Sequence, residues 1–142
     1  MSSSSISDVV DPAAPRAIVI GHGEFAAGMR SAVQKITGRG SVLIALSAEE
    51  CASCSLAQLV DLLRVRLRES GVSVIFTDLQ AGSATMAARK LLHDQPDTVL
   101  VVGANLAVLL DFVLNNEATP VDAARHAAER GRLAIQVQEG GA

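Results

Sequence analysis

The feature that most constrains this chain is a regular alternation of short apolar runs with longer stretches of helical periodicity. Ala17–Ile20, Val42–Leu46, Val72–Thr77 and Thr98–Val102 are nearly unbroken apolar runs. That pattern predicts strands buried on both faces, as in a parallel sheet. Between them, Phe25, Met29, Val33 and Ile36 step along one helical face before Gly38 and Gly40. Leu56, Leu59, Leu63 and Leu67 do the same before Gly71, with Asp61, Arg64 and Arg68 on the opposite side. Further helices are predicted over Thr85–His93 and Leu106–Leu114. Another starts at Thr119-Pro120, where Thr can cap, Pro suits the first turn and Asp122 lies near the positive helix end. The last run, Leu133–Val137, differs because Gln136 and Gln138 alternate with Ile135 and Val137, the pattern of a strand near a sheet edge.

Strand and helix therefore alternate throughout, which predicts an α/β fold: one doubly wound domain with helices on both faces. The central sheet is expected to be mostly parallel with about five strands, the last of them antiparallel. At 142 residues the chain is long enough for one such core. Aromatic residues make up only 2% of it, so the core must be aliphatic. Residues 1–15 are Ser-rich and too polar to bury much surface, and are expected to form a flexible leader to a domain spanning 16–142. That segment lacks the basic and apolar regions of a secretory signal. No apolar run approaches the roughly 20 residues of a membrane helix, so a cytoplasmic location is expected. A formal net charge of −3, with acids and bases intermixed, provides no basic stripe for a nucleic acid.

In doubly wound sheets, chemistry gathers at the carboxyl ends of the strands, where the strand order reverses. Two predicted loops at such ends carry ionisable residues: His22 follows the first strand and Asp78 follows the third. His22 lies between Gly21 and Gly23, immediately before a helix. Small neighbours let a bulky group approach the imidazole. The helix start offers unpaired N–H groups and a positive end, which favour an anion and disfavour an imidazolium. A neutral imidazole with a free lone pair is a nucleophile. Asp78, if the third strand neighbours the first, could accept from one ring nitrogen and leave the other free. Gly82 and Ser83, opening the next helix, could add donors to a phosphoryl oxygen.

AIVIGHGEFAAGMRSAVQKITG, FTDLQAGSATMAARK and VLVVGANLAVLLDFVL together resemble the mannose-type IIA domains of the bacterial phosphoenolpyruvate:sugar phosphotransferase system. The resemblance runs from about Arg16 to the last predicted strand. It implies a phosphotransferase that accepts a phosphoryl group from the histidine-containing phosphocarrier protein and passes it to a IIB domain for sugar uptake. On this resemblance His22 is the phosphoacceptor, Asp78 its hydrogen-bonding partner, and Gly23, Gly82 and Ser83 phosphate contacts. It also implies a homodimer in which the last strand is exchanged between subunits, and an association with a membrane permease only through partners. The apolar helix Leu106–Leu114 would suit such a dimer. No IIB domain is fused to the chain, so the partner is expected to be separate. The family loop usually reads Asp-x-x-Gly-Gly-Ser-Pro-x-Asn; here Ala81, Ala84 and Met86 replace Gly, Pro and Asn. This mechanism needs neither metal nor cofactor.

Three other readings are carried forward. A regulatory phosphocarrier would use the same histidine to gate a partner. Gly21-x-Gly23-x-x-Ala26, with Glu49 and Glu50 downstream, formally matches a dinucleotide fingerprint, though no second nucleotide-binding half follows. Cys51 and Cys54 have the spacing of a redox pair or half a zinc site, but two small residues in an Ala/Ser-rich loop are more often incidental. His93 and His126 read as surface helix residues.

Overall fold

The computed structural model describes residues 11, 13–50 and 53–141. Most of the expected leader, and Cys51, lie outside the described residues. The elements run β1 (Ala17–Gly21), α1 (Phe25–Thr37), β2 (Leu43–Ser47), α2 (Leu56–Ser70), β3 (Val74–Thr77), α3 (Ser83–Leu92), β4 (Val99–Val102), α4 (Leu106–Leu114) and α5 (Pro120–Leu133). A short 3₁₀ turn, Gly40–Val42, leads into β2.

Among the described residues the sheet has four strands in the order β2-β1-β3-β4, and every pairing is parallel. Side-chain alternation divides the core into two layers. Ala17, Val19, Val74 and Phe76 face one side with α1, α4 and α5. Ile18, Ile20 and Ile75 face the other with α2 and α3. Phe76 meets Phe112 edge to face at 5.1 Å, and the Arg16 guanidinium stacks 5.2 Å over the Phe112 ring. Arg16 also donates to the Asn115 and Ala118 carbonyls, tying the α4–α5 connection to the start of β1.

The strand expected over Leu133–Val137 is absent. Helix α5 continues through Leu133, with Ala134 at its C-cap, and residues 135–139 carry no regular structure. A lone extended segment with alternating apolar residues becomes a strand only by pairing with a strand edge, and within the chain this segment pairs with none, although Ile135 lies near the open edge strand β4. The antiparallel fifth strand is corrected accordingly. Ile135 and Val137 are left largely exposed, at 73% and 87%.

Helix α4 is the converse case. Its nearly all-round apolar surface is covered within the chain, because it lies between α1 and α5 with Val108, Leu109, Phe112 and Val113 buried. Gly131 makes that contact possible: a Cβ there would sit 1.8 Å from Val108 Cγ2. Of its ends, only Leu114 is an exposed large apolar side chain. Ile36, predicted to face inward on α1, is also exposed, since the helix buries Ala26 and Val33 instead.

Candidate functional site

Strand β1 sits between β2 and β3, so the chain leaves β1 towards one side of the sheet and returns to the other. Helix α1 after β1 and helix α3 after β3 consequently lie on opposite faces. A crevice opens between the carboxyl ends of β1 and β3, the switch point of this topology. Ile20 pairs with Thr77, which places the next residues of both strands, leading to His22 and Asp78, side by side.

Asp78 holds His22 at two points. Its Oδ2 accepts from the His22 backbone N–H at 2.8 Å and from ring Nδ1 at 2.8 Å. Its Oδ1 accepts from the Leu79 N–H at 2.9 Å. A carboxylate only accepts, so the proton of a neutral imidazole sits on Nδ1 and the Nε2 lone pair is free. The Asp78 side chain is 9% exposed, whereas that of His22 is 47% exposed. The carboxylate is thus fixed while the ring reaches solvent.

The titration behaviour follows from this pair. His22 is raised above its ordinary value, first by the hydrogen bond to Asp78, then by that carboxylate's charge, with Glu49 adding a smaller pull and slight burial opposing. A helix start is expected to disfavour the charged ring; the Asp78 carboxylate in direct contact acts in the opposite direction and favours it. Burial pushes Asp78 up, but the hydrogen bonds from the His22 backbone and ring outweigh it and hold the carboxyl below its ordinary value.

Two glycines make room. A Cβ on Gly21 would lie 2.7 Å from Phe25 Cδ2 and 2.9 Å from Asp78 Oδ2. At Gly82 a Cβ would sit 2.9 Å from His22 Cε1, and φ there is +118°, a conformation that disfavours any side chain. Gly82 is the N-cap of α3, and Ser83, exposed, is its first residue. Neither α1 nor α3 has a side-chain cap, so both present first-turn N–H groups to this end of the sheet.

Sequence reasoning missed two features. The Glu49 carboxylate accepts from the Gly23 N–H at 3.2 and 3.1 Å through both oxygens, and Ser47 Oγ donates to it at 3.0 Å. Those bonds, Ser47 first and Gly23 second, hold Glu49 below its ordinary value. Glu49, which lies downstream of the formal dinucleotide fingerprint, turns back onto the Gly21-His22-Gly23 turn itself. The second feature is a buried hydroxyl pair, Thr77 and Thr85, 2.8 Å apart. Thr85 also donates to the Leu79 carbonyl and so braces the Asp78 loop against α3. Only the folded loop brings these two threonines together, so no motif could have marked them.

Of the substituted loop residues, Ala84 is buried, while Ala81 and Met86 are exposed. Met86 lines a cavity of about 420 Å³ with Gly82, Ser83, Glu49 and Cys54. Cys54 carries no free thiol; the redox and zinc readings also require Cys51, which lies outside the described residues. His126, read as a surface residue, is exposed and hydrogen-bonds Asp111 at 2.8 Å.

Among the described residues the site is thus a histidine–aspartate pair at the switch point of a four-stranded parallel sheet flanked by five helices, the class of an α/β domain with a nucleophile-bearing strand end. The sequence profile of the EIIA-man family, described as PTS system fructose IIA component, matches residues 16–129, and the chain belongs to that family. The fold is similar to a phosphoenolpyruvate-dependent sugar phosphotransferase system protein from Klebsiella pneumoniae, at 23% identity and a TM-score of 0.75, over 91% of this chain and 94% of that one. A mannose/sorbose-specific IIA subunit from Enterococcus faecalis gives 22% identity and a TM-score of 0.69, over 89% and 96%. A sigma-54 interaction domain protein from the same species gives 15% and 0.64, over 84% and 90%. No curated protein matches the sequence. No helix among the described residues is long and apolar enough to cross a membrane.

Proposed function

We propose that this chain is a phosphocarrier that takes a phosphoryl group on His22 Nε2 from the histidine-containing phosphocarrier protein and hands it to a IIB domain. The observation that carries this reading is the His22 Nδ1–Asp78 bond of 2.8 Å, which leaves Nε2 exposed with its lone pair outward. Attack forms the N–P bond while the bond to the donor's phosphohistidine nitrogen breaks with its electron pair. The Nδ1 proton stays on Asp78's side of the ring throughout. Positioning and charge stabilisation do the rest. The N–H groups of the Gly23 turn and of the Gly82-Ser83 helix start are suited to the phosphoryl oxygens. Exposed Leu79 and Met86 give a partner an apolar rim beside the histidine. The chain acts in the cytoplasm on this reading, and needs neither metal nor cofactor.

The test is transfer itself. Incubation with phosphoenolpyruvate, enzyme I and the histidine phosphocarrier should place an acid-labile, base-stable label on the wild type and none on His22→Ala. Label on the alanine variant would refute the assignment.

The protein further acts as a homodimer in which residues 133–137 pair with the partner's β4. Strand β4 lies at the sheet edge, and Leu133, Ile135 and Val137 are exposed. Sedimentation should give a dimer for the full chain and a monomer after Ile135 and Val137 are both changed to Lys. A second reading, in which the phosphohistidine gates a regulatory partner, draws on the fold shared with the sigma-54 interaction domain protein. Label passing to IIB favours transport; label retained in a complex with a regulator favours gating.

A further inference from the structure

Two carboxylates flank His22, one from each neighbouring strand, and they are held in opposite ways. Asp78, at the end of β3, is nearly buried and makes three hydrogen bonds of 2.8–2.9 Å. Glu49, just past β2, is exposed and meets the Gly23 N–H through a forked pair of 3.2 and 3.1 Å. Register explains the placement: Gly21 pairs with Ser47, so the β2–α2 loop rises directly beside the Gly-His-Gly turn. Ser47 steadies the arrangement, donating to Glu49 Oε2 and accepting from the Glu49 N–H at 3.2 Å.

The Gly23 N–H is the first backbone donor after the nucleophile, and a carboxylate already occupies it. A phosphoryl group arriving on His22 is an oxyanion that needs the same donor and is repelled by the same charge. We propose that Glu49 is a displaceable carboxylate latch: it caps the Gly23 turn in the unphosphorylated protein and must yield that N–H when His22 carries a phosphoryl group. The inference rests on the reading of His22 as phosphoacceptor. Its consequence is thermodynamic. By competing for the donor and repelling the product, Glu49 weakens the hold on the phosphoryl group and keeps it ready for onward transfer. Glu49 is a positioning residue of the site, acting through the Gly23 turn, and it takes no part in bond making.

Glu49→Gln keeps the shape and removes the charge; Glu49→Ala removes the latch altogether. Both sides of an equilibrium between phosphorylated donor and this protein can be read by phosphorus NMR. Both variants should shift it towards phosphorylated His22 by about three- to tenfold, the range of one weak charge-assisted hydrogen bond. In parallel, inorganic phosphate titrated against the labelled protein should move the Gly23 amide signal at lower concentration in both variants than in wild type. A wild-type protein that labels, with variants matching it in equilibrium position and phosphate response, overturns the latch and leaves the phosphocarrier reading standing. Weaker phosphate response in the variants also overturns it, because Glu49 would then assist the anion. Failure of wild type to label at all removes both.

Discussion

Helices α2, α4 and α5 each begin with a side chain that caps the first turn: Ser55 accepts from Gln58 N–H, Asn105 from Val108 and Thr119 from Asp122. Helices α1 and α3 begin without one. The two uncapped starts follow the strands whose ends carry His22 and Asp78, whereas the capped α2 start lines the neighbouring cavity with Gly82 and Ser83. Caps contribute roughly 0.5–2 kcal/mol each, so their absence at two adjacent helix starts is a local cost. On the phosphocarrier reading, the difference teaches that the two helix starts at the His22–Asp78 crevice keep donors in hand for an anion, with the Glu49 carboxylate holding the neighbouring Gly23 N–H meanwhile.

The comparison can be broken most directly at Asp78. Asp78→Ala should slow His22 labelling by roughly 100-fold, the scale of losing a group that orients a histidine, while circular dichroism reports an intact fold. Labelling requires a neutral ring, whose population grows as pH rises. Because the His22 value is raised, wild-type labelling should fall off as pH drops through a midpoint above 6.5. Asp78→Asn removes the charge that raises it, so the midpoint should move down towards the ordinary value. A midpoint unchanged by Asp78→Asn would mean that the carboxylate does not govern the ring.

Gly82→Ala comes next in size. The new Cβ would press on the His22 ring and occupy φ +118°, costing about 1–3 kcal/mol of stability and displacing the nucleophile. Thermal unfolding and labelling should therefore both suffer. Retained labelling at reduced stability would separate the loop's shape from the site's function.

Ser55→Ala is the control at a capped helix. It removes the Ser55 Oγ half of a capping box and leaves the backbone N–H of residue 55 on Gln58 Oε1; it should cost about 1 kcal/mol, a shift of a few degrees in Tm, with labelling at the wild-type rate. A labelling defect there would erase the distinction between structural and anion-binding helix starts.

The continuous apolar runs settled the parallel sheet from sequence, because a strand covered on both faces has no polar position to spare. The position of His22 between Gly21 and Gly23 after β1, and of Asp78 after β3, was legible for the same reason: strand ends are where buried runs stop. The segment Leu133–Val137 forms no strand within the chain, because alternation signals only that a segment can pair, and whether it does so is decided by the assembled sheet. The pull of Asp78 on the His22 titration was not legible, because a helix start is visible in sequence, whereas a carboxylate 2.8 Å away from the ring is not.

The sequence by itself determined the order of elements, the layered aliphatic core and which loops carry ionisable residues, since periodicity and strand ends are local. Only the tertiary structure decided that β1 lies between β2 and β3, and hence that Asp78 and Glu49 reach His22 from opposite sides. Strand order brings together residues 26 and 56 positions apart, and no local pattern encodes that pairing.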